Sequence, residues 1–247
     1  MNSSAPAKPN ARTSAEPKPA NPTEVERAEF MLYLDTLKPG MTVLDVGANI
    51  GELTLLFARF VGPAGRVHAF EPGETAFDRL RTMCDWSGYT HIIPNRLALA
   101  EKAGTVRLNV YDDAHLTWNT MAQRPLADHG IDVATTGTES VPAQTVDDYC
   151  TGYGIERVDL LKIDVEGAEL QVLRGAGRML QEKRVGCCVF EFGQTTLDMG
   201  NSAKQIQDYL LAVGYSVRNV IEGDPVFPTE GQPVAPCFSM HLAEPMT

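Results

Sequence analysis

Two spacings of apolar residues alternate along the chain. TVLDV (Thr42–Val46), RVHAFE (Arg66–Glu71), Ile92–Ile93, VDLLKIDV (Val158–Val165) and VGCCVFEF (Val185–Phe192) are short, nearly continuous apolar runs. That character predicts strands buried on both faces, as in a parallel sheet. Between them apolar residues recur every third or fourth position, which predicts helices over Glu52–Phe60, Glu74–Trp86, Ala168–Leu173 and Gly175–Leu180. A helix over Thr23–Leu37 comes first, with Thr23 and Glu26 spaced as a capping box and Phe30, Met31, Leu34 and Leu37 as its apolar stripe. Thr105–Val110 alternates, Ser140–Pro142 adds a short strand, and Thr145–Cys150 opens a helix. Ser202 caps a late helix to Val213, and Tyr215–Val220 with Cys237–Leu242 reads as a closing antiparallel pair. The alternation predicts an α/β fold, a mostly parallel sheet with helices on both faces and ligands at the carboxyl ends of its strands.

The first strand runs into Gly47-Ala48-Asn49-Ile50-Gly51 and then a helix. A glycine-bearing turn there lets a nucleotide-like ligand approach the backbone closely. The spacing differs from the Gly-x-Gly-x-x-Gly fingerprint of dinucleotide sites, which counts against a nucleotide-dependent oxidoreductase. Asp45, two residues before the first glycine, would repel a pyrophosphate and suits a cation. S-adenosylmethionine (SAM), with an amino group and a sulfonium, is such a ligand; an ordinary strand–turn–helix is the alternative. Glu71, ending the second run, can accept hydrogen bonds from two adjacent ribose hydroxyls and points to an adenosine-containing ligand.

VLDVGANIGELTLLFA and GRVHAFEP, followed downstream by TVDDYC and VDLLKIDVEGAELQVLRGA, resemble the FkbM family of SAM-dependent methyltransferases over about Lys38 to Phe192. KIDVEGAE (Lys162–Glu169) is the most discriminating block. The resemblance implies a Rossmann-like class I methyltransferase fold with a seven-stranded sheet. It also implies O-methylation of a small-molecule hydroxyl, on a natural product of secondary metabolism or a sugar. In such a family Asp45, Gly47, Ala48, Asn49, Gly51 and Glu71 are the expected cofactor residues, with Asn95 and Ala98 beside the adenine and Asp164 near the cofactor amino group.

Composition narrows the partners. The formal charge of -11 makes a poor binder of nucleic acid and argues against a membrane-surface role. No apolar run reaches the roughly 20 residues of a transmembrane helix. Five cysteines without a Cys-x-x-Cys pair read as reduced thiols of a cytoplasmic protein. Residues 1–22, rich in Ala, Pro, Ser and Asn, read as a disordered tail before a domain over 23–247. A homo-oligomer is compatible with all of this.

Methyl transfer to an alcohol needs alignment and a destination for one proton. Three groups qualify: Asp164 or Glu166, which follow the fourth run; His115, whose ordinary pKa suits neutral pH; and Mg²⁺ held by Asp164 and Glu191. His115 lies in the irregular stretch Tyr111–Gly137, with Trp118, Asn119 and His129, and a long irregular insertion of this kind reads as an acceptor-side lid. A catalytically silent SAM-fold partner is the rival reading, which the intact turn and Glu71 discount.

Overall fold

The computed structural model describes residues 22–124, 132–227 and 238–246. The expected tail, His129 and Cys237 lie outside these. Ten strands and eight helices occupy the described residues. In chain order they are α1 (Pro22–Thr36), β1 (Thr42–Val46), α2 (Glu52–Val61), β2 (Arg66–Phe70), α3 (Glu74–Ser87), β3 (Ile92–Asn95), β4 (Ala98–Leu99) and β5 (Gly104–Val110). There follow β6 (Gly137–Gln144), α4 (Val146–Tyr153), β7 (Val158–Ile163), α5 (Glu169–Gly175), α6 (Gly177–Gln181) and β8 (Val185–Phe192). The chain closes with α7 (Gln194–Asp198), α8 (Ala203–Ala212), β9 (Tyr215–Asn219) and β10 (Ser239–Pro245).

Seven strands form one sheet in the order β3-β2-β1-β7-β8-β10-β9. β10 runs antiparallel to both its neighbours, and the other pairings are parallel. The order reverses beside β1, so a crevice opens between the carboxyl ends of β1 and β7, where ligands bind in open α/β sheets. Side-chain alternation splits the core in two. Leu44, Val46, Leu161, Ile163 and Phe190 pack with α4, α5, α6 and α8 on one face. Val43, Val67, Leu160 and Val189 pack with α1, α2 and α3 on the other. This is the mostly parallel, helix-covered sheet expected from the spacing.

One local expectation is corrected. Helix α1 begins at Pro22, so Thr23 sits inside its first turn. Its buried stripe is Val25 and Tyr33, continued by Leu37 just past its end, while Phe30 and Met31 face outward. Tyr33 packs edge-on against Phe57 of α2, centroids 4.8 Å apart, and that contact sets the rotation of the helix. The strands expected at Thr105–Val110 and Ser140–Pro142 are present and belong to a separate three-stranded sheet, β4-β6-β5, whose pairing the sequence pattern does not assign. Its β5–β6 register, Gly104 opposite Ala143 to Val110 opposite Gly137, carries the loop that follows β5 over the crevice. No described helix is long and apolar enough to cross a membrane.

A buried polar chain braces this edge. The Tyr149 hydroxyl donates to Asn95 Oδ1 at 3.1 Å and lies 2.8 Å from His68 Nδ1. Burial, with Arg66 adding to it, lowers the pKa of His68 to about 4, so the ring is neutral. Tyr149→Phe strands both partners, and each buried group left unpaired costs about 1–3 kcal/mol. The urea midpoint of that variant should fall accordingly, with an unchanged slope.

Candidate active site

The cavity over the β1–β7 crevice has a volume of about 690 Å³. Its floor is the turn after β1. Gly47 has φ +81°, and a Cβ there would lie 1.7 Å from the Asp164 carbonyl oxygen, so only glycine fits. Gly47 and Ala48 donate their N–H groups to Phe70 O at 3.0 and 2.9 Å, stitching the turn to β2. Gly47 and Asn49 face the cavity, whereas Ala48 and Gly51 shape the turn from outside it. Gly51, at φ +98°, packs against Leu80 of α3.

Glu71 lines the cavity at the end of β2. Its Oε2 accepts from Asn49 N at 3.0 Å and its Oε1 from Gly73 N at 2.8 Å. Burial raises its pKa to about 7 against the pull of those two N–H groups. Each oxygen keeps a second lone pair for a ligand. Ala98 lines the same side with Leu97, Leu99 and Leu108. Asn95 does not reach the cavity: its amide donates to Ala69 O and Ile93 O at 3.1 and 2.8 Å.

Asp45 is fully buried beneath the turn. Thr54 of α2 donates to its Oδ2 at 2.6 Å, and Lys162 Nζ stands 3.4 Å from its Oδ1. The β1–β7 register sets these two residues side by side. Lys162 Nζ also donates to Gly47 O at 3.0 Å and lies 3.5 Å from Asp164 Oδ2. Burial would lower the pKa of this lysine, but the Asp164, Asp45 and Glu29 carboxylates outweigh it and hold the ammonium above its ordinary value.

Asp164, Glu166 and Glu191 meet on the opposite wall. Burial, followed by the charges of Asp164, Glu166 and Glu169, pushes the Glu191 carboxyl well up. Glu166 has φ +52°, and its carbonyl accepts from Thr120 Oγ1 at 2.5 Å. Burial first, then Asp164, raises its pKa to about 8, against the opposing pull of Arg124. Arg124 Nη1 lies 3.7 Å from Glu166 Oε2, and the guanidinium sits 5.2 Å above the Trp118 ring centre. Leu116, Thr117, Trp118, Asn119, Met121 and Arg124 line the cavity, so part of the irregular stretch forms its wall. His115 does not: it pairs with Asp112 at 2.6 Å and leans on Trp118. Among the described residues no group of three or more His, Cys, Asp or Glu is arranged to hold a metal ion.

The strand order, with the glycine turn at its switch point, defines a Rossmann-like class I methyltransferase fold. The profile of the Methyltransferase FkbM domain matches residues 45–217, and the chain belongs to that family. It is 32% identical over 168 residues to the 31-O-demethyl-FK506 methyltransferase FkbM of Streptomyces tacrolimicus, covering 56% of this chain and 60% of that protein. It is 29% identical to the hexuronic acid methyltransferase AglP of Haloferax volcanii, covering 63% and 58%. The chain thus spans about three-fifths of the length of these curated relatives. The crystal structure of a methyltransferase FkbM from Methylobacillus flagellatus KT superposes with a TM-score of 0.50 at 15% identity, covering 87% of this chain and 50% of that one.

Two outcomes test this geometry. Gly47→Ala drives a methyl group into the Asp164 carbonyl, and its melting temperature should drop by several degrees in a thermal scan. Glu166 is held above the ordinary glutamate value of 4.5, so the folded state prefers the neutral acid. Its contribution to stability is full below 4.5 and lost as pH rises through about 8. Denaturant titrations across that window should show stability falling with pH, and falling less in Glu166→Gln.

Proposed function

We propose that this protein transfers the methyl group of SAM to a hydroxyl of a small-molecule acceptor, a natural product or a sugar, in the cytoplasm. The observation that carries the reading is the placement of a sterically obligatory glycine turn, a ribose-type carboxylate and a carboxylate wall around one cavity. The residues present fit the cofactor. Gly47 lines the cavity with bare backbone, at a turn packed so closely on the Asp164 carbonyl that no side chain can stand there. Glu71 offers paired acceptors to vicinal hydroxyls, and Leu97, Ala98, Leu99 and Leu108 offer an apolar slot for a base.

SAM supplies an electrophilic methyl group needing no further activation. The chain must therefore orient the acceptor and take its proton. Glu166 suits the second task, because a carboxylate held near neutral pKa can both accept and release a proton at physiological pH. Asp164, tied to Lys162 beneath it, suits holding the acceptor or the cofactor amino group. Trp118 and Met121 supply apolar surface for the acceptor skeleton, and the loop that bears them excludes water from the reacting atoms. The relatives support a hydroxyl-bearing acceptor: one is named for 31-O-demethyl-FK506, another for a hexuronic acid.

Calorimetric titration tests the cofactor half. SAM should bind, NAD⁺ should not, and Glu71→Gln should weaken SAM by about 10-fold or more, as for a lost charge-assisted hydrogen bond. A folded protein indifferent to SAM would sink the reading. With a hydroxylated acceptor in hand, Glu166→Gln should lower kcat by about 100-fold or more, the usual worth of a general base. An unchanged kcat would pass that role to Asp164.

A further inference from the structure

Helix α1 lies before the stretch that matches the family profile. Its inward stripe repeats every fourth residue: Val25, Glu29, Tyr33 and, just past its end, Leu37. Three of these are core residues, and the fourth is an acid. A carboxylate on the core-facing line of a helix is costly unless something compensates it. Tyr33, itself fully buried, donates to Glu29 Oε1 at 2.5 Å. Among the described residues Oε2 has no hydrogen-bond partner, and Glu29 lines the cavity with Gly47 and Asp164.

The surroundings state what Oε2 would accept. Lys162, Asp164 and Asp45 all act on the Glu29 carboxyl group. Three carboxylates therefore crowd one ammonium, and that ammonium is already shared between Asp45, Asp164 and Gly47 O. The imbalance is negative, and it faces open cavity at Glu29 and Asp164. Burial raises the Glu29 pKa in spite of the Tyr33 hydrogen bond and Lys162, a cost that a cation bound beside it would offset. A compact primary ammonium has three donors and no acceptor, which suits two carboxylates and a carbonyl.

We propose that Glu29 is a cofactor-binding residue whose carboxylate, together with Asp164, receives the α-ammonium group of the amino-acid end of SAM. The inference rests on the SAM reading above and deepens it: helix α1 closes the amino-acid end of the site, while Glu71 marks the ribose end. Tyr33 fixes the rotamer of Glu29 and leaves one oxygen for the ligand.

Three probes separate the possibilities in titrations of the full chain. SAM and S-adenosylhomocysteine both carry the α-ammonium; 5′-methylthioadenosine has the same adenosine and sulfur but lacks it. Glu29→Gln keeps the shape and an acceptor for Tyr33 while removing the charge. It should weaken SAM and S-adenosylhomocysteine by about 10-fold or more and leave 5′-methylthioadenosine within about twofold. Unchanged S-adenosylhomocysteine affinity, or equal losses for all three probes, would overturn the proposal, the latter by showing that Glu29 only shapes the pocket. Loss confined to SAM would also overturn it, moving the contact to the sulfonium. If the unaltered protein binds 5′-methylthioadenosine but neither of the others, the ammonium contact fails while an adenosine site survives. If it binds none, the SAM reading itself fails. Should Glu29→Gln not fold, Glu29→Asp keeps the charge but withdraws it by one methylene, and the same probes should show the same selective loss.

Discussion

One buried ammonium holds the site together. Lys162 has almost no access to water, and its three partners belong to three different pieces of the chain. Asp45 is in the first strand, Gly47 O in the turn that follows it, and Asp164 just beyond the end of β7. Breaking such a buried pair by removing one partner typically costs about 3–5 kcal/mol, because the other charge is left stranded. The turn and the carboxylate wall are therefore not independently placed. Through Thr54 the same brace reaches helix α2.

Much of this was legible in the chain. The five core strands declare themselves by apolar runs, and the residues at their carboxyl ends include Gly47, Glu71, Asp164 and Glu191, all of which line one cavity. What the sequence could not show depends on long-range register. The pairing of Asp45 with Lys162 follows from β1 lying beside β7, more than a hundred residues away. β5 and β6 pair across a separation that periodicity does not encode. Helix α1 offers two superposable stripes, and the one through Phe30 and Met31 looks more apolar because an acid interrupts the real one. The cost of burying that acid was the available signal. His115 has the right chemistry for a base, yet it pairs with Asp112 and does not line the cavity. Arg124 gave no signal at all, since a lone arginine in an irregular stretch is usually a solvated charge.

The carboxylates beside the cavity are deliberately crowded. Glu166, Glu169 and Glu191 each have their pKa raised by burial, and Asp164 adds to every one of these shifts. Crowding of like charge in a place of low dielectric makes protons mobile near neutral pH. Glu169 is excluded from the chemistry by its partners: it accepts from Gly167 N at 2.9 Å and from Thr196 at 3.2 Å, and so fixes the turn on which Glu166 stands. Glu166, in the turn before α5, and Glu169, at the start of that helix, thus differ in how fully their lone pairs are used.

The small sheet divides labour in a way the main sheet does not. The loop bearing Trp118 and Arg124 hangs from β5 through paired hydrogen bonds between Asn109 and Thr120, at 2.8 and 3.1 Å. It touches the turn that follows β7 by the Thr120 hydroxyl and the Arg124 guanidinium. Its anchorage is the small sheet, so apart from these contacts its sequence can change without repacking β1, β2 or β7. The fold thus separates a wall that can vary from the strands that set the floor of the cavity.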